Sequence, residues 1–478
     1  MDDLRSWLEV IDRVGQLRHV KGADPNLEIG ILTEINCNRR GPALLFDEIR
    51  GYRPGYRILT GALLNATRLA AALGYDDVSG DPDLVSLLEQ NLIEYERRSD
   101  RFHPRVVDDG PVLENCQLER DVDLTAFPAP MWHEHDGGQY LGTGCIVITR
   151  DPDTGVVNCG SYRVMLHDAK TVTVHISPAH HGAMDIKKYH ARGLPAPVAV
   201  SLGHHPLFLV LGGMTLPYGL SEYQYVGAIA GAPVPVIEGR VTALPIPAAS
   251  ELAIEGLCYP DDNRDEGPFG EFHGYYSGER GQSSALQVKT AYHRNDPINL
   301  GAMPGVPPHD YTYMTCVLKS AMVSASLKRA GLLDVRGVWY QEAAAGDFFI
   351  VVSLRQRYAG HARQVAHVAA QCQTSGSAPG RYVVVVDDDI NPTNLEQVIW
   401  AMSTRSNPER DIEVLGNTYS SPVDPMYGKG GTGAFGSRAI IDACRPFDSI
   451  DRFPRVAQAS ADARHAVAAK WRELFDGE

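Results

Sequence analysis

Apolar residues at helical spacing open the chain. Leu4, Trp7, Leu8, Ile11 and Val14 recur every three or four positions, and this period places them on one face of an amphipathic helix. Up to about residue 102, similar helical patterns are mixed with short apolar runs. The pattern therefore predicts an N-terminal α/β region, which we assign to residues 1–122.

The pattern changes to a strand-like one after residue 122. Short apolar runs separated by Gly, Pro and Asp occupy residues 144–149, 156–163, 171–176 and 198–201. Runs of this length and spacing predict an antiparallel sheet or barrel over residues 123–308. The apolar stretch 197–214 is broken by two histidines, a proline and a Gly212-Gly213 pair. We expect a buried strand and turn there rather than a membrane span, followed by a helix capped by Ser221.

Helix and strand patterns alternate again in the last third of the chain. The predicted strands are 348–354 and 382–386, and the predicted helices are 360–373, 394–405 and 461–475. This alternation predicts a C-terminal α/β domain over residues 309–478 that ends in a helix. The expected fold class is thus a multidomain mixture of α+β and α/β structure. Residues 421–437 are Gly-rich, which is typical of a mobile lid or of an ordinary surface loop.

Composition and charge narrow the class of protein. The 478 residues include 44 Lys and Arg against 59 Asp and Glu, which gives a net charge of −15. Proteins that bind nucleic acid usually carry a basic face, so we expect no nucleic-acid partner. The acidic start at Asp2 and Asp3 is unlike a signal peptide, and no membrane partner is expected. Eight widely spaced cysteines without a C-x-x-C pair favour free thiols in the cytoplasm.

Two glutamates bracket a tight turn in the sequence Glu266-Gly-Pro-Phe-Gly-Glu271. Gly and Pro fix the backbone, so the turn can hold both carboxyl groups toward one point. Two close acids that share a cation reach different pKa values, which suits one proton donor and one charge partner. A solvated acidic turn is the simpler interpretation of the pattern alone, because three aspartates lie just upstream.

An arginine ends the apolar run from Asn158 to Arg163. Strand alternation would point Arg163 away from Asn158 unless a bulge at Gly160 re-aims it. An inward Arg163 needs a carboxylate, either on a substrate or on one of the two glutamates. An arginine on an edge strand in water is the commoner case for any single Arg.

Oxygen and nitrogen ligands for a metal occur in three separate segments. Asn158, His180 and Glu222 supply two oxygens and one nitrogen, a mixture suited to manganese or magnesium that shares its ligands with a phosphate. The run Gly212-Gly213-Met214-Thr215 precedes Glu222 and can bring backbone groups close to an anion. Taken singly, His180 is more typical of a turn and Glu222 of the first turn of a helix.

Taken together, these segments resemble the UbiD-type decarboxylases, which use prenylated FMN. The resemblance runs over nearly the whole chain and preserves the order of the segments. The matching segments are 127–128, 136–138, 158–163, 197–203, 221–223, 266–275, 387–389, 400–401 and 404–405.

The resemblance implies a role for each site residue. Arg163, Glu266 and Glu271 match the family's Glu-Arg-Glu network, in which Glu271 occupies the proton-donor position. Asn158, Glu222 and a histidine of the H-x-G turn match ligands of a manganese ion that bridges protein and flavin phosphate. His180 fits that turn better than His181, although both remain open. The other implied cofactor-binding residues are Ser161, Gly212, Gly213, Met214, Thr215 and Arg381.

The resemblance also implies the chemistry and the partners. Loss of CO2 from an unsaturated or aromatic acid leaves a carbanion, which needs the electron sink that the flavin provides. A potassium ion near residues 211–214, a flavin prenyltransferase as cofactor supplier and a homodimer or higher homo-oligomer are implied as well. The family's central domain is a split barrel of the flavin-reductase type. A metal-dependent hydrolase that uses His180 and Glu222, or a flavin carrier without catalysis, are the competing functions.

Overall fold

The computed structural model describes residues 3–214, 216, 219–372, 380–421, 423–426 and 435–475. The strands are β1 Leu17–Lys21, β2 Ala43–Asp47, β3 Arg57–Thr60, β4 Arg105–Val106, β5 Asn115–Leu118, β6 Tyr140–Gly142, β7 Ile146–Arg150, β8 Val157–Gly160, β9 Arg163–Leu166, β10 Thr171–His175, β11 Ala196–Leu202, β12 Pro235–Glu238, β13 Pro245–Pro247, β14 Leu252–Glu266, β15 Gly281–His293, β16 Ile298–Leu300, β17 Val335–Tyr340, β18 Phe349–Leu354, β19 Tyr382–Asp387, β20 Ile412–Tyr419 and β21 Phe435–Ala443.

The helices are α1 Leu4–Arg13, α2 Glu28–Asn38, α3 Ala66–Leu73, α4 Asp81–Arg98, α5 His181–Ala191, α6 Leu207–Gly212, α7 Glu222–Ala230, α8 Asp310–Arg329, α9 His361–Gln371, α10 Leu395–Arg405, α11 Pro408–Asp411, α12 Ala461–Lys470 and α13 Arg472–Phe475.

The N-terminal region combines helices with a small mixed sheet. Helix α1 forms where the sequence predicts it, with Asp3 accepting the backbone N–H of Ser6 at its N-terminus. Its apolar face buries Leu4, Trp7 and Ile11 in the main core. The sheet has the order β1-β2-β3-β16, so its last strand comes from residues 298–300.

A nine-stranded antiparallel sheet forms the centre of the molecule. Its strands follow the order β6-β9-β10-β15-β14-β11-β7-β8, and β5 pairs with β15 beside this path. The long hairpin β14–β15 carries Glu266 at the end of its first strand. Alternation along the strands buries Val172, Val198 and Ile254 in a second core beneath the sheet.

The C-terminal region is a sheet covered by helices on both faces. Its order is β17-β18-β19-β21-β20, with β18, β19 and β21 parallel. Strand alternation directs Val383 and Val385 into one core with Val365 of α9. Val384 enters another core with Val398 of α10. The valine run 383–386 is therefore buried throughout because both faces of the sheet are covered.

Three sequence expectations were wrong in their detail. Residues 156–163 form two strands, β8 and β9, which lie far apart in the order of the sheet. The stretch 197–214 holds strand β11 and then the short helix α6 instead of a turn. Residues 207–211 of this helix are all apolar and buried. The predicted terminal helix 461–475 is interrupted at Trp471.

Strands pair across both proposed domain boundaries. Strand β5 lies before residue 123 but joins the central sheet, and β16 lies before residue 308 but joins the N-terminal sheet. Strand pairing does not decide where the chain divides into domains, so the boundaries at residues 122 and 308 stay a prediction. Helix α7 begins at Glu222 after Ser221 as predicted, and Gln224 Oε1 accepts the backbone N–H of Ser221.

Parts of the predicted site fall outside this description. Thr215 and most of the Gly-rich segment, residues 422 and 427–434, are not among the described residues.

Among the described residues, no helix has both the length and the apolar character that crossing a bilayer requires.

Candidate active site

The turn between Glu266 and Glu271 is held against a second glycine-rich segment. Gly137 donates its backbone N–H to the carbonyl of Pro268 at 2.7 Å. A Cβ at Gly137 would lie 2.0 Å from the Gly267 carbonyl oxygen, so only glycine allows this close approach. Glu266 is only 2% exposed. The interpretation of this segment as a solvated acidic turn was therefore wrong.

Arg163 joins the two glutamates. Its Nε and Nη2 donate to both carboxylate oxygens of Glu266 at 2.7 and 2.8 Å, a bidentate pair. Its Nη1 lies 3.3 Å from Oε1 of Glu271. The structure thus brings together the three residues of the predicted network, with Glu266 as the nearer partner. Because β8 and β9 are separate strands, alternation from Asn158 does not decide where Arg163 points.

The two glutamates have opposite electrostatics. Burial alone would raise the pKa of Glu266, but hydrogen bonds from His175 and Arg163 lower it to about 2. Burial raises the pKa of Glu271 above its usual range, and Arg163 opposes this only in part. At neutral pH Glu266 is therefore the charge partner of Arg163, whereas Glu271 is the carboxyl group better suited to hold a proton.

Three neighbours of the network were not found from the sequence. Tyr140 donates its hydroxyl hydrogen to Glu266 Oε1 at 2.9 Å. Phe269 lies beneath the guanidinium of Arg163, 5.5 Å from Cζ to the ring centre. His175 Nδ1 lies 3.2 Å from Glu266 Oε2. His175 is paired with Arg163 across β9 and β10, and a strand pairing of this kind could not be deduced from a single sequence.

The predicted metal ligands lie around Tyr162. Glu222 begins α7, is buried, and accepts the backbone N–H of Cys159 at 2.8 Å. Burial raises the pKa of Glu222 to about 7, and the nearby charge of Asp185 adds to the effect. The side chain of Asn158 bonds the hydroxyl of Tyr162, whose ring centre is 5.7 Å from that of His180.

A metal site made only of ionisable ligands is absent from the described residues. Within them, no three His, Cys, Asp or Glu side chains lie close enough together to hold an ion. The predicted set contains two such side chains and the Asn158 amide, so it is not a cluster of that kind. Glu222 has the ligand chemistry for a cation, because its buried carboxylate is bonded by backbone N–H groups and its pKa is still raised by burial.

The glycine pair after α6 approaches the strand that carries Asn158. The Gly212 carbonyl accepts the backbone N–H of Ser161 at 2.8 Å, and a Cβ at Gly212 would lie 3.1 Å from that nitrogen. Ser161 Oγ also contacts the hydroxyl of Tyr311 at 2.6 Å. Gly213 is exposed and Met214 half-buried. These residues form a narrow backbone cradle beside Glu222.

Arg381 lies in the C-terminal region, one residue before β19. Its Nη2 forms an ion pair with the carboxylate of Asp424, at 2.6 Å from Oδ1 and 2.5 Å from Oδ2. Its guanidinium also stacks over Phe348, 4.8 Å from Cζ to the ring centre. Asp424 is buried, and hydrogen bonds from Arg381 and Ser420 overcome the effect of burial and lower its pKa. A role of Arg381 in cofactor binding is therefore still only a prediction.

Comparison with protein-family models matches the three regions in order. Residues 8–88 match the N-terminal domain, residues 105–307 the Rift-related domain and residues 312–443 the C-terminal domain of 3-octaprenyl-4-hydroxybenzoate carboxy-lyase, UbiD. Among curated relatives, a pyrrole-2-carboxylic acid decarboxylase of Pseudomonas aeruginosa is 33% identical, with 99% of this chain and 97% of the relative covered.

Solved structures agree along the whole chain. The vanillic acid decarboxylase of Sedimentibacter hydroxybenzoicus in an open form is 29% identical with a TM-score of 0.83, and 99% of each chain is covered. An evolved dimeric form of the UbiD-class enzyme HmfF from Pelotomaculum thermopropionicum, in complex with prFMN, is 25% identical with a TM-score of 0.80, covering 97% of this chain and 98% of that one.

These findings define an enzyme of the carboxy-lyase class, and not the hydrolase or carrier that the sequence left open. The chain belongs to the UbiD family. The likeness to UbiD-class structures also confirms the predicted fold class, a multidomain mixture of α/β regions and a central β domain. The flavin-reductase type of that central domain stays a prediction.

The opposite pKa shifts predict opposite pH dependence in two matched variants. A carboxylate whose folded pKa is lowered stabilises the fold above its unfolded pKa and loses this effect as the pH falls. For Glu266, a change from 4.5 to about 2 corresponds to about 3 kcal/mol. The advantage of wild type over Glu266→Gln should therefore be complete above about pH 4.5 and shrink by about 1 kcal/mol on lowering the pH by one unit.

Glu271→Gln is the matched control. Because its folded pKa is raised, Glu271 destabilises the fold as the pH rises through its unfolded pKa, so this variant should gain on wild type as the pH increases. Urea unfolding at pH 3.5, 4.5 and 6 measures both differences. Parallel pH profiles for the two variants would contradict the electrostatic distinction between the glutamates.

Proposed function

We propose that this protein is a reversible, non-oxidative decarboxylase of an aromatic, heteroaromatic or α,β-unsaturated carboxylic acid that uses prenylated FMN. The proposal rests above all on the Arg163 guanidinium shared by Glu266 and Glu271. Relatives that act on pyrrole-2-carboxylic and vanillic acids support an aromatic or heteroaromatic acid. The prFMN complex of a family member supports the cofactor.

The residues that would hold the cofactor fit its chemistry. A flavin phosphate beside the buried Glu222 needs an intervening cation, because two anions in a low dielectric repel strongly. Asn158, His180 and Glu222 are the proposed manganese ligands, and backbone oxygens near residues 211–214 are the proposed potassium ligands. Ser161, Gly212, Gly213, Met214 and Thr215 would line the phosphate, with Arg381 as a further cation. Once bound, the prenylated flavin supplies the electron sink that decarboxylation requires.

The side chains of the protein itself bind the substrate and protonate the product. Arg163 orients the substrate carboxylate, while Glu266 fixes the guanidinium by two hydrogen bonds and neutralises it. Glu271 gives its proton to the carbon that has lost CO2 and regains one from solvent, to which it is partly exposed. The reverse reaction, driven by bicarbonate, uses the same groups in the opposite order.

Cofactor and metal should be bound together or lost together. Protein made with a flavin prenyltransferase should release prenylated FMN on denaturation, as mass spectrometry of the supernatant would show. Glu222→Ala should lower manganese and flavin occupancy in parallel, whereas Glu238→Ala, which removes an exposed carboxylate, should lower neither. His180→Ala and His181→Ala decide between the two histidines. Absence of any flavin would end the proposal, and full flavin occupancy in metal-free Glu222→Ala would end the bridge.

Glu271→Gln should keep the flavin and lose decarboxylation. The amide retains shape and hydrogen bonding but carries no transferable proton, and general-acid help is typically worth about 100-fold or more in rate. In deuterated buffer, wild type should place deuterium on the carbon that lost CO2. Turnover close to wild type in Glu271→Gln, together with an inactive Glu266→Gln, would show that the two roles are reversed.

A homo-oligomer is proposed from the C-terminal helices. Val467 on α12, Trp471 between the two helices and Leu474 on α13 are exposed, and exposed apolar residues grouped in this way are typical of an interface. Wild type should sediment at a multiple of 52.2 kDa, and Trp471→Glu should sediment nearer the single-chain mass. Leu194→Glu, at an exposed apolar residue of a loop, is the control. A monomeric wild type would contradict this assembly.

The cytoplasm is the proposed location. The eight cysteines of the described chain are all free, and seven of them are buried. Unpaired thiols are typical of a reducing compartment. A fusion to a fluorescent protein, imaged in the cells that make it, would test this location.

A further inference from the structure

One neighbour of the charged network, His175, is partly exposed. Tyr140, Glu266 and Phe269 are each less than 5% exposed. The side chain of His175, in contrast, is 38% exposed although it touches Glu266. His175 therefore borders Glu266 while part of its side chain stays open.

The orientation of the His175 ring is fixed from one edge. Its Nδ1 lies 3.2 Å from Glu266 Oε2 and 3.0 Å from Ser283 Oγ. Directly opposite residues of an antiparallel pair point to the same face of the sheet, and His175 is paired with Arg163. The imidazole consequently stands on the face of the sheet that carries the guanidinium.

Hydrogen-bond chemistry then sets the tautomer. Glu266 is ionised at neutral pH and can only accept, so the Nδ1 facing it carries the proton. A neutral imidazole with a proton on Nδ1 presents a lone pair on Nε2. Among the described residues, the hydrogen bonds and ion pairs of His175 all involve Nδ1. In the neutral imidazole Nε2 is therefore an acceptor, and none of the described residues pairs with it.

We propose that His175 is a specificity-determining residue, whose Nε2 accepts a hydrogen bond from an O–H or N–H group on the ring of the substrate acid. This inference rests on the proposed function and narrows its substrate class to acids that carry such a donor. A site built to pair with a donor rejects the analogue that lacks it, because the bound analogue covers the acceptor without giving it a partner.

The pair pyrrole-2-carboxylate and furan-2-carboxylate isolates this contact. The two acids have nearly the same shape, but only the first has a ring N–H. Their affinities for protein loaded with unmodified FMN, measured by calorimetry, require no turnover. Wild type should prefer pyrrole-2-carboxylate by about tenfold, the usual worth of one hydrogen bond.

Two substitutions of His175 distinguish recognition of the ring donor from a purely structural role. His175→Asn keeps an N–H donor near the place of Nδ1 and so keeps the contact with Glu266, but it has nothing at Nε2. His175→Gln places an amide group near Nε2. The pyrrole-to-furan ratio should fall close to one in the Asn variant and be partly kept in the Gln variant. His190→Asn, on α5, is the control for the exchange itself and should keep the wild-type ratio.

The outcomes separate the inference from the proposed function. A ratio near one in wild type, or an unchanged ratio in His175→Asn, would overturn the role of His175. An equal loss of affinity for both acids would show a merely positioning role and would overturn it as well. A clear preference in binding, combined with no CO2 release from protein loaded with prenylated FMN, would uphold His175 as a reader of ring donors and overturn the proposed decarboxylase.

Discussion

The burial of one guanidinium between two carboxyl groups is the constraint on which this site depends. Arg163 is largely shielded from water, and a charge in that position is tolerated only with a well-aligned partner. Glu266 meets this need with two hydrogen bonds and is itself held by Tyr140 and His175. Because Glu266 supplies the negative charge, Glu271 does not have to be ionised, and burial raises its pKa. One pair thus sets the protonation of both acids.

The backbone around this pair is arranged for close approach. Gly137 lets the segment before β6 contact the turn at Gly267 and Pro268, so the turn is fixed from outside the hairpin that contains it. The loop after Glu271 reaches the C-terminal region, where His273 Nε2 contacts the Val423 carbonyl at 2.8 Å. The position of Glu271 is therefore determined jointly by the central sheet and by the C-terminal region.

A second electrostatic problem lies at the start of α7. Glu222 is buried with a raised pKa, in a chain whose overall charge is already strongly negative. Its neighbours Asn158 and the 212–213 cradle offer oxygens and close backbone approach rather than cations. The proposed bridging metal would balance the negative charges of both Glu222 and an incoming phosphate. The two parts of the site thus need opposite charges, because Arg163 is a buried cation and Glu222 is a buried acid.

The sequence by itself determined the helices at residues 4–13 and 222–230, the buried strand 382–387 and the family, because local periodicity and ordered motifs carry that information. It also named Arg163, Glu266 and Glu271. Only the tertiary structure showed that residues 156–163 are two strands, that Glu266 is buried, and that Tyr140 and His175 touch it. These facts depend on which strands pair and in which register, and no local pattern encodes pairing between residues about a hundred positions apart.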